Sequence, residues 1–196
     1  MSEIEQVTDY SAEERYNRGR ALLTALLKWL ECEFFGIFIF LSVLALRVVL
    51  KTAADIIFGL MGLATYILVM ADFGFKEGKK AQVKNSVRGD NVGRGFGILP
   101  GLVSVLPSLV TLGVLWLSYS GEIGSFLPLF KLLNSGLWGL INLFAPDMDI
   151  THLSPALFAV FPAIQLILVI VTAAAFGIGH DNDDLQTRIM YKRKER

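Results

Sequence analysis

The side chains in this sequence that could do chemistry fall into a few short clusters. Asp147, Asp149 and His152 place two carboxylates and an imidazole close together, donors of the kind that hold a divalent cation. No clear fourth ligand accompanies them, and two acids ahead of a helix start equally suit the helix dipole. His180 with Asp181, Asp183 and Asp184 repeats the pattern, with the same shortfall. Cys32 stands between Glu31 and Glu33. A reactive thiol needs a lowered pKa, and neighbouring carboxylates oppose that, so the single cysteine reads as a packing residue.

Catalytic motifs are missing. There is no HExxH, nucleophile elbow, Walker motif or CxxC pair, each of which carries a distinct chemistry. Gly93, Gly95, Gly97 and Gly101 lack the preceding strand that a dinucleotide site needs. No catalytic residue, cofactor site or metal site is assigned, and a non-enzymatic protein is expected.

The elements that must position any site are apolar. Hydrophobic residues make up 54% of 196 and charged residues 18%, below the roughly 25% charge of soluble domains. Basic and acidic residues balance at 18 each, which excludes a strongly basic nucleic-acid binder. Long uncharged runs imply an all-α integral membrane protein. The first twenty residues are polar and show no signal-peptide cleavage site, so the first apolar run is expected to stay as an anchor.

Residues 1–10 read as disordered, and Ser11 with Glu14 as a capping box. Residues 11–30 form an amphipathic pattern suited to the membrane interface. The expected spans are about 34–50, 56–73, 98–118 and 155–179, with a loop at 74–96 and a tail at 180–196. A competing reading joins 21–50 into one long helix, with Glu31 and Glu33 deep in the bilayer. Residues 125–145 are apolar, yet Lys131, Ser135, Trp138 and Asn142 share one face, and Pro128, Gly136 and Gly139 interrupt it. An interfacial or re-entrant helix on the outer face fits this segment better than a fifth span.

Charge sets the orientation. With four spans, fifteen Lys and Arg fall on one side and three (Arg47, Lys51 and Lys131) on the other. The positive-inside rule makes the fifteen-residue side cytoplasmic, both termini included. Its basic residues are expected near anionic lipid headgroups.

A few polar positions fall inside the spans. Ser104, Ser108 and Thr111 follow a helical face of the third span, and Gln165 sits in the fourth. Such groups need partners in hydrocarbon, and packing is the expected use, with a polar pathway as the alternative. Asp55, near Lys51 and Arg47, reads as a salt-bridged helix start or a charged gate. Glu31 and Glu33 face the cytoplasmic headgroups. The resulting expectation is a subunit or accessory component of a membrane complex. Its partners are the lipid bilayer and either another membrane protein or itself, and not nucleic acid. The alternative is a small homo-oligomeric transporter or channel.

Overall fold

The computed structural model describes residues 15–181. The expectations for residues 1–10, for Ser11 and Glu14, for Asp183 and Asp184, and for the tail beyond residue 181 lie outside them. The described residues are helical, with no strand among them: α1 (Arg18–Leu50), α2 (Thr52–Arg88), α3 (Ile98–Tyr119), α4 (Leu127–Leu133), α5 (Trp138–Asn142) and α6 (Leu157–His180). Short 3-10 turns lie at Arg94–Gly97, Ser135–Leu137 and Ile150–His152. Three segments are long and apolar enough to cross a membrane: Thr52–Val87, Arg94–Tyr119 and Leu157–His180.

Two expected boundaries are corrected. The interfacial helix at 11–30 and a separate span at 34–50 are, from Arg18 onward, one unbroken α1 of 33 residues. Nothing between Leu30 and Phe34 breaks a helix, and Ala21, Ala25, Cys32, Glu33 and Gly36 are all buried on one side of it. Residues 18–30 therefore do not lie apart in a plane. Ala25 packs on Met70 and Phe73 of α2. Asn17 starts α1 by accepting the Arg20 N–H at 2.9 Å, as an N-cap does.

The loop at 74–96 is also corrected, because α2 continues to Arg88 and ends at Gly89, whose φ of 68° forms a left-handed cap. The charges of this stretch suggested a loop. Its Gly74, Glu77, Gly78 and Ala81 are buried at helical spacing, and Lys, Ala, Gln and Glu are good helix formers. Gly74 and Gly78 lie against the α6 backbone at Thr172 and Phe176, and Gly179 lies against Phe75. These glycines let α2 and α6 touch closely, as small residues four apart do.

A single residue, Lys51, joins α1 to the antiparallel α2. At that end Trp116 and Tyr119 of α3 meet Phe158 of α6, with ring centroids 4.8 and 5.5 Å apart. At the opposite end His180 donates to Val92 O at 2.8 Å, and Asn85 exchanges two hydrogen bonds with Val92. Arg94 pairs with Asp181 there. Tyr16 donates to Glu77 at 3.2 Å. Burial, then the Glu77 charge, pushes its phenol well above the usual value.

Residues 126–146 form a hairpin that enters the bundle from the Lys51 end and returns to it. Phe126 N–H donates to Ser118 Oγ at 2.9 Å on entry, and Pro146 O accepts from Arg47 at 3.2 Å on exit. Between those points the chain reaches down the α1–α2 groove. Leu127, Phe130, Leu137 and Ile141 join the core with Leu115, Leu157 and Phe161.

Candidate functional site

The hairpin tip is built around one carboxylate. Glu33 of α1 is 5% exposed. Its Oε2 accepts the Gly136 N–H at 2.9 Å and the Ser135 hydroxyl at 3.1 Å, and the Tyr66 hydroxyl of α2 donates to Oε1. Ser135 Oγ also lies 2.7 Å from Glu33 O. The Gly136 N–H and the Tyr66 hydroxyl donate to the carboxylate, and the single Ser135 hydrogen is shared between Oε2 and Glu33 O, so the group acts as an acceptor at the tip. An irregular turn in a dry interior needs such partners.

Glycines make the approach possible. A Cβ on Gly36 would overlap Gly136 N, and one on Gly62 would overlap Gly136 O. A Cβ on Gly136 would meet the Tyr66 ring, and one on Gly139 would meet Asp55 O and Gly59 N. The tip is thus held between two helix backbones.

A second set of charges closes the Lys51 end of the hairpin. The Lys131 ammonium, 1% exposed, donates to Asn142 Oδ1 at 2.8 Å, Ala145 O at 2.6 Å and Asp147 O at 2.7 Å. Its three hydrogens therefore tie the first limb to the second. Asn142 Nδ2 donates to Asp55 Oδ1 at 2.9 Å, and Arg47 Nε lies 3.2 Å from the same oxygen. Asp55 and Tyr66 are eleven residues apart on α2, about 17 Å at ~1.5 Å per residue, which gives the reach of the hairpin.

The expected site residues divide. Glu33 and Asp55 belong to the hairpin's two anchor sets. Glu31 does not. It is half-exposed and pairs with Lys28 at 2.5 Å. Ser104 donates to its own helix at Gly101 O, 2.8 Å away. Ser108 Oγ accepts from Trp29 Nε1 at 3.1 Å, and Thr111 Oγ1 accepts from Asn134 Nδ2 at 3.0 Å. Gln165 is buried, with no hydrogen bond from its Nε2 among the described residues. The polar face expected at Lys131, Ser135 and Asn142 turns into the bundle instead of toward an outer surface, because Glu33, Asp55 and backbone carbonyls await it there.

The Asp147, Asp149 and His152 cluster resolves into local contacts. His152 Nδ1 and Asp147 Oδ2 are 2.7 Å apart, while Asp149 caps the Thr151 N–H at 2.9 Å. The hydrogen bond with Asp147 raises the His152 pKa, and the bond from His152 lowers that of Asp147. The Thr151 backbone bond lowers Asp149.

Tyr66, Trp29, Asn134 and Gly136 were not singled out as site residues from sequence. The available signal was the matched spacing of Gly59 and Gly62 with Gly136 and Gly139, two glycine pairs three residues apart. No family model, curated protein or solved structure matches this chain.

Proposed function

We propose that this chain is a non-enzymatic, four-span protein of the cell membrane that serves as a subunit or accessory component of a membrane complex. In this reading α1 is the first span and residues 126–146 are a re-entrant hairpin. Arg18, Lys76, Lys80 and Arg94 group at the His180 end, and Arg47, Lys51 and Lys131 at the Lys51 end, which makes the His180 end cytoplasmic.

The observation that carries the reading is the use of the interior polar groups. Glu33, Asp55, Lys131, Ser108 and Thr111 all bond to neighbouring segments of this chain. They hold the fold together and leave apolar surfaces outside. On α1 those surfaces include an open groove of about 560 Å³ lined by Leu27, Leu30, Glu31, Phe34, Phe35 and Phe38. Large exposed apolar patches mark membrane or protein contacts. Purification from native membranes should bring down a stoichiometric partner, and repeated isolation as a lone monomer would refute the reading.

A second reading, a small homo-oligomeric transporter or channel, draws on the hairpin itself. Broken helices at membrane depth are tolerated where they are buried or line a cavity. Cysteine labelling along the third span separates the two readings.

A further inference from the structure

We propose that Asn134 and Gln165 form a buried binding site for one water molecule that joins the hairpin to α6. The proposal rests on the fold and not on the functional reading above.

Both side chains are inside the protein, 1% and 2% exposed. The orientation of Asn134 is fixed by its partners. Thr111 gives its hydroxyl hydrogen to Ser108 O at 2.9 Å, so Thr111 Oγ1 can only accept from Asn134. Asn134 Nδ2 also donates to Phe130 O at 2.9 Å. With both amide hydrogens placed, Asn134 Oδ1 faces elsewhere and is a buried acceptor with no partner among the described residues. Gln165 Nε2 is the matching buried donor.

The two amides share one layer. The rings of Phe130 and Phe161 are in contact, with centroids 5.3 Å apart. Asn134 and Gln165 each follow by four residues, and α4 and α6 both run away from the Lys51 end. One helical turn therefore carries both to the same depth. The packing of α3 agrees. Its Gly101 lies against Val169 and its Trp116 against Phe158, which sets Gln165 near the level of Ser108. A lone acceptor and a lone donor thus lie in one layer of amides and hydroxyls.

Each of these groups gives up its bonds to water on burial, and without a partner it recovers none of them. The ligand that satisfies them donates one hydrogen bond, accepts another, carries no charge and is small. Water fits, and buried waters bridge such groups with two to four bonds.

The test is a structure of the full chain in lipid nanodiscs at a resolution that shows ordered water. The expected result is one spherical density within hydrogen-bond distance of Asn134 Oδ1 and Gln165 Nε2. Gln165→Leu should lose that density. A direct Asn134–Gln165 hydrogen bond, an empty layer, or density larger than water in the wild-type protein would each overturn the proposal. The wild-type map alone decides, so the test survives a variant that fails to fold.

Discussion

Gly136 donates its backbone N–H to Glu33 Oε2 across 2.9 Å, joining positions 103 apart in the chain. The bond ties the turn of a hairpin to the middle of a long helix, and Tyr66 and Ser135 complete the set on the same carboxylate. One acidic side chain thereby serves three segments.

Removing that carboxylate strands the Gly136 N–H and the Tyr66 hydroxyl, while Ser135 keeps the Glu33 backbone carbonyl. Glu33→Ala should destabilise the protein by about 3 kcal/mol, since each buried donor left unpaired costs about 1–3 kcal/mol. Glu31→Ala, two residues away, should cost no more than about 0.5 kcal/mol. Its pair with Lys28 is half-exposed, and such pairs contribute little. Thermal unfolding in detergent compares them, and equal effects would show that Glu33 does not anchor the tip.

The glycine contacts give a steric prediction with an internal control. A methyl group on Gly62 would overlap Gly136 O, whereas one on Gly113 of α3 meets nothing within 4 Å. Gly62→Ala should cost about 3 kcal/mol through forced displacement of the hairpin. Gly113→Ala should be neutral or gain up to about 1 kcal/mol from helix propensity. The order of the two unfolding midpoints checks the packing.

How much of this was legible in the sequence follows from the kind of signal involved. The apolar character of α2, α3 and α6 stands in their uncharged runs, because burial in an apolar medium acts on composition. The ends of α1 and α2 did not, because Glu31, Glu33 and the lysines from Lys76 onward looked like membrane boundaries. Charge marks a boundary only where nothing inside pairs with it, and Glu33 has Tyr66 and Gly136. Lys131, Ser135 and Asn142 were visible as a polar face. Which way that face turned depended, for Asn142 and Ser135, on acceptors 87 and 102 residues away, and periodicity carries no such information.

The hydroxyls of α3 offer a test that separates packing from permeation. Single cysteines at Ser104, Ser108 and Thr111 should resist a water-soluble maleimide, because Ser104 and Ser108 are 3% and 1% exposed and Thr111 is covered by Asn134. A cysteine at Ser120, exposed past the end of α3, should label readily. Labelling of the three α3 positions comparable to that at 120 would favour the channel reading.

The Asp147–His152 contact predicts a pH dependence confined to the loop before α6. His152 is raised by its bond to Asp147, so its contribution is complete below the ordinary imidazole value. That contribution is lost as pH rises through the higher folded value. Asp147 is lowered, so its contribution is present above the ordinary carboxylate value and is lost as pH falls through the lower folded one. The pair is therefore intact between those two folded values. An NMR titration should place the His152 midpoint above the ordinary value of about 6.5, and Asp147→Asn should return it there. An unchanged midpoint in that variant would remove the pair as the cause.

Lys131 closes the other end of the hairpin, and its geometry distinguishes an ammonium from other cations. Three acceptors, Asn142 Oδ1, Ala145 O and Asp147 O, surround Nζ at 2.6 to 2.8 Å. A planar guanidinium presents its donors in a fixed fork and cannot meet three acceptors gathered about one point. Lys131→Arg should therefore destabilise the protein nearly as much as Lys131→Met, by about 2 to 4 kcal/mol for losing buried charge-assisted bonds. Both variants should also raise proteolysis between residues 143 and 153, the stretch those bonds hold down. If arginine restored wild-type stability, the site would require only a positive charge, and the three-point contact would not be what fixes the return limb.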